Sequence, residues 1–181
     1  MDLYDSRRAP AQDNGTIYIT SRNCVTGVNR YRFFRNSESF GHASAFVMPD
    51  CSVSMYCTGL MLTCSRDRDM TLVPGISVGI FDGDCMEEYA RVFWDGAGQH
   101  RLQTPFGCIQ VTYQEGMYLC HRDENLLGAL CTIQKGSAYM ISRQEAPDPD
   151  WEPRMALHVT EPLPDELALL LLSFPLVQLG P

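Results

Sequence analysis

Lysine is almost missing from this chain. Lys135 is the one lysine among 14 basic residues, which leaves 13 arginines. No G-x-x-x-x-G-K-[ST] stretch occurs, so a P-loop nucleotide site is excluded. A bias this strong towards arginine points to GC-rich coding, as in many viral genomes, more than to selection for protein chemistry. None of the eight cysteines (24, 51, 57, 64, 85, 108, 120 and 131) forms a C-x-x-C pair, which argues against zinc-ribbon and thioredoxin-like readings. No G-x-S-x-G elbow is present for a serine hydrolase. The longest apolar run, Leu167 to Leu172, is far below the ~20 residues of a membrane span. Met1 to Gly15 is polar and lacks the apolar core of a secretory signal, so an intracellular protein with reduced, mostly buried thiols is expected.

What is present is a chain of 181 residues, 45% hydrophobic, long enough for one domain plus appendages. Its net charge is −8 and its pI about 4.9. An acidic surface repels phosphate backbones, so nucleic acid is not an expected partner. The four histidines (42, 100, 121 and 158) are scattered, and without a short ligand pair no metal or other cofactor is expected. Cys120 and His121 are chain neighbours, and in a strand they would point to opposite faces, so they cannot act as a nucleophile–base pair.

Short apolar segments rich in β-branched and aromatic residues recur along the chain. Strands are expected at Thr16–Thr20, Tyr31–Arg35, Ser44–Met48, Cys51–Ser65, Thr71–Asp82, Ala90–Trp94, Gly107–Tyr113, Gly116–His121, Leu126–Ile133 and Ser137–Ser142. Arg66–Asp69 reads as a solvated turn. Turn residues separate most of the segments, so the fold class is all-β, a sandwich, jelly roll or barrel.

The composition changes at Gln144. Pro147, Pro149 and Pro153 stand among Glu145, Asp148, Asp150 and Glu152, as in a stiff, extended linker. Trp151 within it is either a docking anchor or a cover for the β domain. A further strand is expected at Arg154–Thr160. Pro162-Leu163-Pro164 then precedes Asp165 and Glu166, a helix-start signature, with the end expected near Ser173 because of Pro175. This helix is apolar on nearly every side and must be buried, on its own domain or in a partner. The expected organisation is a flexible arm (1–15), a β domain (16–143), and an acidic linker with an apolar C-terminal helix (144–181).

Several motifs occur in a telling order: Met48-Pro49-Asp50, Val53, Thr58-Gly59-Leu60, Pro74-Gly75, Gly79-Ile80-Phe81, then Gly107–Thr112, Arg122-Asp123-Glu124 and Leu126–Leu130. That order resembles the central strands of the dUTPase family. Upstream, Asn29–Phe34 and Glu38-Ser39-Phe40 are similar to the start of the dUTPase-related early-region-4 proteins of adenoviruses. The resemblance spans about residues 29–134 and implies a dUTPase-like jelly roll or β-sandwich.

At the positions that match the family's nucleotide site, the chemistry is wrong. The phosphate loop falls at Asp82, Asp84 and Cys85, where carboxylates would repel a triphosphate. The glutamine of the family's A-Q-L motif falls at Ala129, which cannot hydrogen-bond a phosphate. Glu87-Glu88-Tyr89 lies too close to the preceding motif to supply the general base. The resemblance therefore implies a non-catalytic viral protein that keeps a fold, binds host proteins and alters host signalling or defence, in host cytoplasm or nucleus. The chain ends Leu179-Gly180-Pro181, without the apolar last residue that PDZ docking needs. Trp151, Leu167, Leu170, Leu171 and Phe174 are the candidate protein-interaction residues. The helix would bind a partner or seal a homo-oligomer, and removing Pro164–Pro181 should then leave the β domain folded. Two alternatives stand beside this reading. One is a β-trefoil ligand of the cytokine kind, from the cadence of Gly116–Leu130; the other is an active dUTP pyrophosphatase.

Overall fold

The computed structural model describes residues 16–25, 27–36, 38–46, 52–65, 74–133, 152–159 and 161–179. The strands are β1 (Thr16–Val25), β2 (Val28–Arg35), β3 (Glu38–Phe46), β4 (Ser52–Cys57), β5 (Leu60–Ser65), β6 (Ile76–Asp82), β7 (Glu88–Gly96), β8 (Gln99–Thr104), β9 (Gly107–Gln114), β10 (Met117–Arg122), β11 (Asn125–Thr132) and β12 (Glu152–Val159). One helix, α1 (Asp165–Leu179), follows. Each strand pairs antiparallel with its chain neighbours, and β1 pairs with β12 from Thr16↔Val159 onwards, closing a barrel of twelve. The all-β expectation with a C-terminal helix holds. The finer arrangement differs, because a sandwich or jelly roll needs two facing sheets and Greek-key crossovers, whereas these strands form one ring.

Alternation decides which side chains face inward. In β4, Val53, Met55 and Cys57 are buried between half-buried Ser52, Ser54 and Tyr56. In β8, His100 and Leu102 are buried while Gln99, Arg101 and Gln103 are exposed. The inward set merges into one core with Leu167–Leu172 and Phe174 of α1.

The helix lies inside the ring. A Cβ at Gly41 of β3 would sit 3.5 Å from Leu169 Cδ1. The Phe174 ring stands 5.2 Å from His100 of β8 and 5.6 Å from Tyr118 of β10. β8 and β10 are each five places from β3 around the ring. A helix that touches opposite walls must run through the lumen. Eight strands make a barrel that wall side chains alone can fill, and the diameter grows with strand number. Twelve strands therefore need a filler, and a helix about 10–12 Å across supplies it. Its all-round apolarity follows: every residue from Leu167 to Phe174 is at most 1% exposed, and Ser173 is the one polar member.

The helix enters the barrel at the end where the β2–β3, β4–β5 and β6–β7 turns cluster, here the entry mouth. Arg35 Nη1, at the end of β2, meets Asp165 Oδ1 at 2.5 Å. The Ala168 N–H donates to the Pro164 carbonyl at 3.0 Å and begins the helix. The acids Asp165 and Glu166 suit the positive end of the helix dipole.

The structure corrects several expected elements. The strand expected at Cys51–Ser65 is replaced by a hairpin of Ser52–Cys57 and Leu60–Ser65, turning at Thr58-Gly59 with Gly59 at φ +74. β8 has no counterpart among the expected strands, since only His100 and Leu102 of its six residues face the core. Pro175 lies within α1 and does not end it. A proline costs an isolated helix about 3 kcal/mol, and here it follows a stretch, Leu167 to Phe174, that the lumen walls already hold in place. The division placed at residue 144 does not separate a β body from a tail, because β12 is a wall strand between β1 and β11 and α1 fills the core. The arm at 1–15, Arg66–Asp69, the strand at Ser137–Ser142, and residues 144–151 lie outside the described residues.

Removing Pro164–Pro181 should therefore abolish cooperative unfolding, read by circular dichroism during heating; a truncated chain that still melted sharply would show that the wall stands without its filler. Leu169→Ala should cost about 2–5 kcal/mol in a urea titration, the range for a buried leucine whose site cannot collapse.

Burial pushes the His100 imidazole below its ordinary 6.5, with Asp95 pulling it part-way back, and burial lowers His158 likewise. Both favour the neutral form in the fold, so below pH 6.5 the unfolded chain binds more protons. Their contribution is intact above pH 6.5 and fades as pH falls below it, before the ordinary carboxylate range near 4.5 is reached. Urea midpoints on either side of pH 6.5 should show this loss, and His100→Gln should reduce it. Parallel losses in both proteins would remove His100 from the account.

Candidate functional site: the acidic turn at the entry mouth

Between β6 and β7 the chain makes a tight turn held by its own backbone hydrogen bonds and by one to β5. The Met86 N–H donates to the Asp82 carbonyl and the Asp82 N–H to the Glu87 carbonyl, each at 2.8 Å. The Gly83 N–H donates to the Met61 carbonyl of β5 at 2.8 Å. A Cβ there would lie 2.1 Å from Met61 Cε, so any larger residue would push the end of that side chain aside. Asp82 Oδ1 accepts from the backbone N–H groups of Asp84, at 2.8 Å, and Cys85, at 3.3 Å.

That last pair settles what the turn offers. Successive backbone N–H groups at a turn form a concavity that suits an anion. Here the anion is built in: the Asp82 carboxylate sits where a phosphate oxygen would have to sit. Asp84, Glu87 and Glu88 are exposed around it. Glu88 is clamped by Arg91, whose Nε–H donates to Oε1 at 2.9 Å and whose Nη2 contacts Oε2. That bond holds the Glu88 carboxyl below its ordinary range. The third Arg91 nitrogen, Nη1, donates to Ser77 Oγ at 2.9 Å, so this guanidinium is directed along the wall. Farther round, Arg101 grips both oxygens of Asp95, at 2.5 and 3.0 Å, and lies 4.7 Å over the Phe93 ring.

At the tip, Met86 adopts φ 61 and is 69% exposed. A left-handed conformation costs a side-chain-bearing residue roughly 1–2 kcal/mol. The internal hydrogen bonds hold it there.

Of the residues that match the family's nucleotide site, Asp82, Asp84 and Cys85 share this turn. Ala129 does not join them: it is fully buried in β11, five places away around the ring. Leu167, Leu170, Leu171 and Phe174, expected as protein contacts, are at most 1% exposed inside the barrel, because the lumen of their own chain takes the face that was assigned to a partner. Trp151 lies outside the described residues. Tyr89 and Cys57 face the helix start inside the mouth. Burial first, and then the nearby Glu166, raise both groups, Cys57 to about 11. Burial pushes the Cys120 thiol to about 12 and that of Cys131 to about 11. These thiols stay protonated and serve as small hydrophobes. Cys85 and Cys108 are the exposed exceptions to the mostly buried thiols expected, Cys108 because Ile109 and Val111 are the inward residues of β9.

Among the described residues, no three His, Cys, Asp or Glu side chains are grouped to hold a metal ion. No described helix is long and apolar enough to cross a membrane. Comparison with protein-family models, with curated proteins and with solved structures gives no match.

Met86→Gly should raise stability by about 1 kcal/mol by relieving the left-handed backbone, and Asp82→Ala should lower it by about as much by stripping two N–H groups of their acceptor. Urea midpoints read both, and a destabilised Met86→Gly would mean that the methionine packs better than its exposure implies.

Proposed function

We propose that this chain is a non-catalytic binding protein that acts on other proteins through the outside of the barrel. The observation that carries the reading is the Asp82 carboxylate bound to the Asp84 and Cys85 N–H groups. A turn that has already satisfied its anion-binding donors with its own acid offers a triphosphate repulsion and no free donors. The lumen supports the same reading: it is filled by Leu167–Phe174, which leaves the outer surface and the two mouths for recognition.

The viral, dUTPase-related origin rests on the order of the sequence motifs, and with it come host proteins as partners and a host intracellular location. The single-ring topology lends that ancestry no support. The feature best built for contact is the acidic turn. It holds Met86 outward on a rigid backbone, ringed by Asp84, Glu87 and Glu88. Its complement is a partner with an apolar pocket in a basic surface.

Two measurements test this. Incubation with dUTP and magnesium should release no pyrophosphate above background; turnover would refute the non-catalytic reading. Host proteins captured by the wild-type chain should be lost with Met86→Asp while the melting curve is retained. Equal capture by both would move the contact away from this turn.

A further inference from the structure

Two methionines meet at the acidic turn, and the fold treats them oppositely. Met61 of β5 is half-buried and packed under Gly83, where a Cβ would lie 2.1 Å from its Cε and 3.3 Å from its Sδ. Met86 at the tip is 69% exposed. Of the other described methionines, Met55 is fully buried and Met117 and Met155 are half-buried. Met1, Met48, Met70 and Met140 lie outside the described residues. We propose that Met86 is a reversible oxidation site, at which conversion to the sulfoxide by a hydroperoxide switches off the protein contact of this turn. The switch rests on the reading of the turn as a contact surface; the oxidation site does not.

Access sets the selectivity. The thioether sulfur attacks one peroxide oxygen, and the S–O bond forms as the O–O bond breaks. The sulfur gives up two electrons, and hydrogen peroxide is reduced to water. A thioether needs no deprotonation for this step, so the path of the peroxide to the sulfur decides which methionine reacts. The Met86 backbone is fixed at φ 61 with its N–H on the Asp82 carbonyl at 2.8 Å, so the turn itself holds this residue at the tip. Met61, on the same turn, has Gly83 over its sulfur.

The surroundings make the change matter. A thioether is apolar and suits a pocket, whereas a sulfoxide oxygen is polar and accepts hydrogen bonds. Asp84, Glu87 and Glu88 around it present carboxylate oxygens, which also accept. The N–H groups of Gly83, Asp84, Cys85 and Met86 are spent on Met61, on Asp82 Oδ1 and on the Asp82 carbonyl. The sulfoxide therefore draws its hydrogen bonds from water and loses them on entering an apolar pocket. The barrel is spared, because so exposed a side chain carries little of the packing.

The test is timed exposure of the full chain to hydrogen peroxide, read by mass spectrometry after digestion. Met86 should gain its oxygen before Met61, Met117 and Met155, with Met55 last, and the melting curve should hold while Met86 is oxidised. Methionine sulfoxide reductases with a dithiol should restore the starting mass. A Met86 that reacts no faster than Met61 would overturn the site. The switch is read by capture of the proteins bound by the untreated chain. Capture should fall about tenfold or more on oxidation, the loss expected for carrying an unpartnered polar group into an apolar pocket. Met86→Leu keeps the apolar bulk without the sulfur and should capture equally before and after peroxide. Cys85→Ser removes the exposed thiol next to Met86 and should lose capture on oxidation as the wild type does. A loss that disappears in Cys85→Ser would assign the effect to the thiol and overturn the switch. So would unchanged capture after oxidation of a chain that Met86→Asp disables. Capture unmoved by Met86→Asp would overturn the contact reading and the switch with it, while the order of oxidation would still decide the site.

Discussion

An apolar helix standing inside a ring of twelve strands is the constraint on which the other features depend. A helix that is hydrophobic on every side has no solvent face, so it must be surrounded. A twelve-stranded wall has the opposite deficiency: its inward side chains cannot meet across the lumen. Each supplies what the other lacks. Each leucine fully withdrawn from water contributes roughly 1.5–3 kcal/mol, and several are withdrawn at once. The wall yields where the helix comes close, with Gly41 facing Leu169 and with Ala43, Ala45 and Ala90 among the inward residues. The Arg35–Asp165 pair at the entry mouth is partly exposed, so it fixes where the helix starts more than how tightly it is held. The buried Ser173 hydroxyl, which has no hydrogen-bond partner among the described residues, is a cost that this much apolar contact can absorb.

The same plug directs chemistry to the outside. Barrels of this kind often use the lumen for a ligand, and here that volume is spent on the chain's own side chains. The deeply buried thiols of Cys57, Cys120 and Cys131 are held protonated, which removes them as nucleophiles. The charged groups of the wall form local pairs, Arg91 with Glu88 and Arg101 with Asp95, that use up cation and anion together. Exposed acids ring the Met86 turn, and Arg30 and Arg32 share one face of β2.

Much of the wall was legible from residues because strand alternation is a local property. The segments at β2, β6, β7 and β9 to β11 each show two or more apolar residues at spacing two, and the turns carry glycine or acid–glycine pairs. β8 was not legible, since its inward pair is a histidine and a leucine among glutamines and an arginine. The hairpin within Cys51–Ser65 was hidden because both its strands are apolar and Thr58-Gly59 is a short interruption. The helix was legible as a buried element, but its neighbour was not: sequence shows that a helix needs cover, whereas only the closure of β1 on β12 shows that its own barrel provides it. The acids of the turn were legible as repulsion. That Asp82 caps the N–H groups of Asp84 and Cys85 was not, because it depends on turn geometry.

Closure also limits how a partner can engage. An open sheet offers an edge whose free N–H and C=O groups can pair with an added strand. In this ring β1 is paired on one side with β2 and on the other with β12, so the first and last strands leave no such edge; the shortest register is between β5 and β6, Leu62↔Asp82 and Thr63↔Phe81. Closure therefore shifts recognition towards side chains and turns. On a wall that is mostly polar outside, the features with enough shape and unbalanced charge to be told apart by a partner are the ones that break the regular pleat. The left-handed Met86 turn is one and the Phe40 bulge is another, beside the left-handed Asn36, Glu115 and Asp123 and the register shifts at Trp94/Gly96 and Cys120/His121. Of these, the Met86 turn joins an irregular backbone to an exposed apolar side chain ringed by acids. Irregular positions of this kind are where a regular wall can re-aim a side chain towards a partner.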